Sequence, residues 1–316
     1  MTEAPLPLFV AAGEALTDLI ANDAAQSNWN SQVGGSGWNV ARVMARLGVA
    51  SAFAGAISTD VFGEALRKAS AEAGLDLRFI QRIDKAPLLA VVYQSSPPRY
   101  FFIGDDSADL HFNAAALPAG WQAHSRWVHF GGISLAREPL AGRLVTLARS
   151  LKHAGVRISY DPNHRALMDA RYDSTLRQMT QLADVVKVSD EDLAGLFRSD
   201  DLATAFATLR SWNGDAAYLY TKGAAGASLH IGAQHWEAPA PAIAVADSVG
   251  AGDASIAGLL FSLMRAPAGA PLDHLRFAVA AGAAACLGSG ACPPTLASIE
   301  ALLPQPRAEA RYAQLP

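Results

Sequence analysis

The run Asp247-Ser248-Val249-Gly250-Ala251-Gly252-Asp253 places two carboxylates and two glycines ahead of a helical pattern. Ile256, Leu259, Leu260, Leu263 and Met264 recur at helical spacing, so Gly250 to Gly252 stand where a helix begins. Unpaired N–H groups and the positive end of the helix dipole make such a place an anion site. Glycine lets the backbone approach the anion without an intervening side chain. Asp253, in the first turn, could then take a proton from an attacking hydroxyl. Two other readings stay open at this point. Asp253 could simply stabilise the helix N-terminus, or Gly250-Ala251-Gly252 could begin a dinucleotide fingerprint. The third glycine of that fingerprint is Ser255 here, and Asp273 opens another helical pattern.

Other catalytic signatures are missing from the sequence. No G-x-x-x-x-G-K-[ST] occurs, which excludes a P-loop, and no H-E-x-x-H occurs. Gly132-Ile133-Ser134-Leu135-Ala136 fails as a nucleophile elbow because its last residue is not Gly. The eight histidines are scattered, and each alone reads as structural. Cys286 and Cys292 fit no zinc spacing, and so few thiols point to a reduced, cytoplasmic protein.

The loop needs a scaffold, and short apolar runs alternate with helical patterns along most of the chain. Strands are predicted at Leu8–Ala12, Ser51–Ala54, Trp127–Phe130, Val156–Tyr160, Val185–Val188 and Ala217–Tyr220. Phe62, Leu66, Ala69 and Ala73 predict a helix closed by Gly74; Val40, Val43, Met44 and Leu47 predict one closed by Gly48. This alternation implies a mostly parallel sheet covered on both faces. Two stretches depart from it. Glu14 to Ser31 has no amphipathic helix, and Leu88 to Ile103 reads as a hairpin around Ser95, Ser96, Pro97 and Pro98. They form either a small second sheet acting as a lid or an edge extension of the main one.

Composition bounds the partners. With 51% hydrophobic and 17% charged residues among 316, the chain can bury a large core in one domain. A net charge of −4 leaves no broad basic surface for nucleic acid or anionic lipid. Pro5 and Pro7 make the N-terminus a poor signal peptide. Phe277 to Ile299 is uncharged, but its Ala and Gly content and Pro293-Pro294 suit a close-packed helix and loop, not a membrane span.

With these residues in view, the chain resembles the ribokinase-like (PfkB) carbohydrate kinases. D-S-V-G-A-G-D resembles their C-terminal D-[TS]-x-G-A-G-D signature. Val33-Gly34-Gly35-Ser36-Gly37-Trp38-Asn39-Val40-Ala41, followed by Ala45-Arg46-Leu47-Gly48, resembles the N-terminal G-G-x-x-x-N-x-A…L-G element. Gly13-Glu14-Ala15-Leu16-Thr17-Asp18 and Asp161-Pro162-Asn163-His164-Arg165 resemble the opening and the D-P-N-x-R of fructokinase-like members. Lys187-Val188-Ser189-Asp190-Glu191-Asp192 lies where the family has N-x-x-E, and Thr221-Lys222-Gly223-Ala224-Ala225-Gly226 resembles its T-x-G-x-x-G turn. Ser189 and Asp192 replace the commoner Asn and Glu, and Pro294 stands where a Ser is often found.

The resemblance implies a ribokinase-like three-layer α/β sandwich with a mostly parallel central sheet and a small β-sheet lid. It implies a single domain with lid segments at about residues 14–33 and 84–104. Asp253 would be the base, with Gly250, Ala251 and Gly252 as the anion hole. The sugar would lie against Asp18, Gly34, Gly35, Asn39 and Arg165, with Arg99 on the hairpin as a further candidate. ATP would lie near Lys187, Ser189, Thr221, Gly223 and Gly226. Mg²⁺ would be positioned at Asp192, and a monovalent cation such as K⁺ at Asp247. The reaction implied is phosphoryl transfer from ATP to a primary hydroxyl, preferably of fructose and alternatively of 2-keto-3-deoxygluconate. A non-catalytic sugar or nucleotide sensor on the same fold is a competing expectation. The apolar hairpin further predicts a homodimer through the lids.

Overall fold

Phe9-Val10-Ala11-Ala12 shows no polar alternation, and all four residues are buried. A strand reads this way when both faces of its sheet are covered. A computed structural model describes residues 5–23, 25–95 and 98–304, so Ser96 and Pro97, expected at the hairpin's bend, lie outside the described residues.

In chain order the first elements are β1 (Phe9–Ala12), β2 (Leu16–Ala21), β3 (Trp29–Gly34), α1 (Ser36–Arg46), β4 (Ser51–Ser58) and α2 (Val61–Glu72). Then come β5 (Ile80–Ile83), β6 (Leu89–Ser95), β7 (Pro98–Ile103), α3 (Trp121–His124) and β8 (Trp127–Gly131). Next are α4 (Leu140–His153), β9 (Arg157–Asp161), α5 (Asp173–Leu182), β10 (Val185–Ser189), α6 (Asp190–Phe197) and α7 (Leu202–Ser211). Last are β11 (Ala217–Thr221), β12 (Ala227–Ile231), β13 (Gln234–Ala238), α8 (Ala251–Arg265), α9 (Pro271–Ala285) and α10 (Leu296–Glu300).

Nine strands form one sheet in the order β13-β12-β11-β10-β9-β8-β1-β4-β5. It is parallel from β5 to β11, and β12 and β13 add an antiparallel edge. Val10, Val128, Ile158 and Val186 pack on one side with Leu144, Leu176, Leu193 and Phe206 from α4 to α7. Phe9, Phe53 and Leu219 pack on the other with Trp38, Leu66, Leu259 and Ala281 from α1, α2, α8 and α9. The layers are therefore helix, sheet, helix, as expected.

The segments that departed from the alternation form a separate four-stranded sheet in the order β3-β2-β6-β7. They do not extend the main one. Two antiparallel pairs meet through the parallel pair β2–β6. By register Asp18, Gln32, Ala90 and Phe102 share one face, while Leu19, Ser31, Val91 and Phe101 share the other.

The uncharged run from Phe277 begins in α9 and leaves it after Ala285 for a loop, and the small residues of α9 let α8 come close. A Cβ on Gly258 would meet the Ala281 methyl at 2.6 Å. Among the described residues no helix is long and apolar enough to cross a membrane.

Candidate active site

In a parallel sheet, ligands collect outside the carboxyl ends of the strands, where chain direction changes and helices begin. Asp161 closes β9, Ser189 closes β10 and Thr221 closes β11, the last two as register partners. Gly34 and Gly35 lead from β3 into α1 on the neighbouring segment.

Helix α8 begins at Gly250, which adopts φ +81 and offers no side-chain cap. Asp253 sits in its first turn, yet its carboxylate does not cap that helix. Ser36 Oγ donates to Asp253 Oδ1 at 2.7 Å, and Asn39 Nδ2 donates to Oδ2 at 2.9 Å. Both donors come from α1, at i and i+3 on one face. This geometry removes the capping reading. The dinucleotide reading also fails, because its fingerprint follows directly on a strand and residues 239–249 contain none. Burial raises the Asp253 pKa, while Asn39, Ser36, Lys187 and Arg165 pull it back without cancelling the rise. Of the expected anion-hole donors, Ala251 N–H is engaged by the Ser248 carbonyl at 3.2 Å. Gly252 N–H, one residue further into the first turn, lacks an intrahelical acceptor.

Asp18 lies at the edge of the same space. A Cβ on Gly34 would stand 2.5 Å from Asp18 Oδ2, so the glycine is what allows the carboxylate to lie against α1's entry. Burial pushes the Asp18 pKa up to about 6, with the Arg165 guanidinium opposing the rise. Arg165 is held by its own turn, its Nη1 donating to Asn163 Oδ1 at 2.6 Å and to the His164 carbonyl at 2.7 Å. Arg165 also acts electrostatically on Asp253, so Asp18, Arg165 and Asp253 border one region. Gly35 provides the α1 N-cap and Asn39 donates to Asp253, so the glycine-rich element meets the D-S-V-G-A-G-D loop.

Lys187 differs from a solvated phosphate contact. It is buried, with Nζ 3.1 Å from Asp161 Oδ2 and 3.3 Å from Asp192 Oδ2. Burial acts to lower its pKa, but the two carboxylates outweigh it and hold the ammonium above its usual value. A Cβ on Gly252 would lie 3.2 Å from Nζ, so the charge sits directly under the anion-hole loop. Asp161 Oδ2 accepts no properly directed hydrogen bond despite the short distance, and burial raises its pKa.

Two of the expected site residues have local partners, and a third lies elsewhere. Asp192, expected to position a metal, has both oxygens engaged: Oδ1 by His164 N–H at 2.8 Å, Oδ2 by Ser189 N–H at 2.8 Å and by Lys187. With Ser189 it makes a capping box that starts α6, so Ser189 too acts locally. Arg99 is exposed and shares the parity of Phe101 and Ile103, the face opposite Asp18, so it does not enter the site.

Thr221, Gly223 and Gly226 form the turn from β11 to β12. Gly226 has φ +95, and a Cβ there would lie 2.1 Å from the Ala238 carbonyl. Asp247 joins two loops, its Oδ1 accepting from Val249 N–H at 3.0 Å and its Oδ2 from Gly290 N–H at 2.8 Å.

Ser36, Asp161 and Glu14 carry roles that their motifs did not disclose. The i, i+3 spacing of Ser36 and Asn39 was a usable signal for the first. Glu14 is buried and accepts from Ser134 N–H at 2.9 Å, tying the end of β1 to the turn after β8.

A profile of the pfkB family carbohydrate kinases matches residues 7–297. The fructokinase of Klebsiella pneumoniae is 33% identical over 260 residues, covering 79% of this chain and 82% of that protein. The crystal structure of fructokinase with bound ATP from Xylella fastidiosa superposes with a TM-score of 0.84 at 28% identity, covering 94% of this chain and 98% of that one. A fructokinase double mutant from Vibrio cholerae, in a fructose-, ADP- and potassium-bound form, gives 0.81 at 26% identity, covering 95% and 100%.

Proposed function

The chain belongs to the pfkB family of carbohydrate kinases, and within it we propose that the protein is an ATP-dependent fructokinase. The observation that carries this reading is Asp253, desolvated in the first turn of α8 with each oxygen held by a donor from α1. A carboxylate so fixed can take the proton of a primary hydroxyl as that oxygen attacks the γ-phosphorus. The new O–P bond forms while the bond to the ADP leaving oxygen breaks, and the proton rests on Asp253. Gly252 N–H and the buried Lys187 ammonium supply fixed positive charge where the transferring group becomes more negative.

Fructose is the preferred acceptor. Asp18 offers an anionic acceptor for neutral hydroxyls, and it would repel a sugar acid. With Arg99 on the far face, the guanidinium of Arg165 is the cation beside the sugar position, and its charge already faces the Asp18 carboxylate. The small sheet serves as a lid that excludes water, which would otherwise accept the phosphoryl group.

ATP would bring Mg²⁺ with it, and the ion would supply positive charge to the phosphates, with Asp192 the residue expected nearest to it. Among the described residues no group of three or more His, Cys, Asp or Glu side chains could hold a metal. A monovalent cation is a separate matter. Asp247 remains the proposed place for it: each carboxylate oxygen accepts one N–H, from Val249 and from Gly290, and keeps a lone pair for a hard cation, which would add positive charge behind the loop.

The outer face of the lid supports a homodimer. Trp29, Tyr93, Phe101 and Ile103 are 39%, 37%, 50% and 50% exposed there, a large apolar area on open-edged strands. Free Cys286 and Cys292 agree with a cytoplasmic setting.

A coupled ADP-release assay over fructose, 2-keto-3-deoxygluconate, ribose, glucose and a nucleoside tests the reading. Highest kcat/KM with fructose is expected. No turnover with any sugar would leave a non-catalytic sensor.

A further inference from the structure

His129 is a titratable side chain of the core that no step above uses. It lies on β8 opposite Ser159, and Gly131, two residues on, lies opposite Asp161. Side chains two apart on a strand leave the sheet on one face. His129 also pairs with Ala11, which packs in the core that α1 and α8 cover. The ring is fully buried, with Nδ1 2.7 Å from Ser159 Oγ. Burial and the Lys187 charge push its pKa down to about 3, so the imidazole is neutral and one of its nitrogens carries a lone pair.

Among the described residues Nε2 has no hydrogen-bond partner. It lies toward the carboxyl end of β8, because a Cβ on Gly131 would stand 3.4 Å from it. Asp161 Oδ2 is a second buried atom without a directed partner, although Lys187 Nζ lies 3.1 Å away. An ammonium has three donors, and those of Lys187 are aimed at Asp161 Oδ1 and Asp192 Oδ2, which leaves one over. One donor and two acceptors thus remain around a single ammonium, in an interior where unpaired polar atoms are costly.

We propose that one buried water joins Lys187 Nζ, Asp161 Oδ2 and His129 Nε2, and that His129 is thereby a positioning residue for the ammonium beneath Gly252. The water accepts from Lys187 and donates to the carboxylate and the ring, and about three hydrogen bonds are usual for an internal water. Nε2 is then an acceptor, as suits a ring near a cation, and Nδ1–H donates to Ser159. With its last donor fixed in direction, the ammonium keeps its place under the loop when phosphates arrive. The effect on turnover rests on the kinase reading; the water does not.

A high-resolution crystal structure of the wild-type protein should show a water within about 2.7–3.2 Å of all three atoms. His129→Leu fills the same space without an acceptor. It should lack that water and lower kcat about tenfold, with KM for the sugar within about twofold of wild type. His129→Gln can place Oε1 where Nε2 stood, and kcat should recover to within about threefold of wild type. A role in packing alone would impair both variants alike. Melting curves check that each variant folds, and if His129→Leu does not, the wild-type structure and the Gln variant decide. No such water, wild-type kcat in His129→Leu, or equal losses in both variants would overturn the proposal. Failure of the wild-type protein to turn over any sugar would sink the kinase reading instead, and the crystal structure would still decide the water.

Discussion

Asn39 Nδ2 stands 2.9 Å from Asp253 Oδ2 although the residues are 214 positions apart. With Ser36 it leaves the carboxylate little freedom to rotate, and it offsets part of the desolvation that raises the Asp253 pKa. The proposed base is therefore oriented by the N-terminal third of the chain.

Asp253→Asn should lower kcat by on the order of 10²–10⁴ while leaving folding and ADP affinity intact. Steady-state rates with saturating fructose and a calorimetric titration check both halves. A loss below about threefold would remove Asp253 as the base.

Asn39→Ala takes away a donor that favours the ionised carboxylate, so the Asp253 pKa should rise further. A base works only when deprotonated, so the acid limb of the kcat/KM profile should move to higher pH. An unchanged limb, measured from pH 5 to 9, would contradict the assignment.

Asp18 has a pKa of about 6, above the ordinary carboxylate value. Protonation removes an acceptor for sugar hydroxyls, so KM for fructose should rise as pH falls through 6 while KM for ATP does not. The stability effect has the opposite sign. A raised carboxylate pKa means that ionisation opposes folding, so stability is fullest in acid and is lost as pH rises through the folded value. Asp18→Asn should therefore raise Tm at pH 8, with the gain shrinking as pH is lowered below 6. Melting curves across that range decide it.

Lys187→Met leaves Asp161 and Asp192 buried without their cation. A loss of about 3–5 kcal/mol in urea denaturation at neutral pH is expected, easing in acid as the carboxylates protonate. Adding Asp161→Asn should restore part of it. A loss under about 1 kcal/mol would show that the pairing contributes little.

Phe101→Glu places a charge at the centre of the outer lid face. Light scattering should show a dimer for the wild-type protein and a monomer for the variant. A monomeric wild-type protein at high micromolar concentration would refute the interface.

Six of the seven parallel strands were readable because Phe9–Ala12 and its neighbours are short, mostly apolar runs; β5 was not, because Ile80–Ile83 is a half-buried edge strand. Gly250 and Gly35 were readable because their positive φ favours glycine. The face taken by Arg99 was not, because a hairpin's alternation assigns no face until its pairing with β2 is known. Asp192 was ambiguous for another reason. Ser189-x-x-Asp192 serves as a capping box and as a metal-positioning pattern alike, and the pairing with Lys187 shows only once the chain is folded. Ser36 needed its partner, which lies 217 residues away.

Strands β8 to β13 lie side by side in the order in which they occur in the chain. During synthesis each new strand therefore finds its template already made, and the sheet can lengthen outward one strand at a time. Helix α8 follows only after that edge is complete, and it must travel back across the finished sheet to dock on α1. The base reaches its place among the last groups to be made. A nascent chain that ends before residue 253 carries every strand of both sheets but lacks the proposed base.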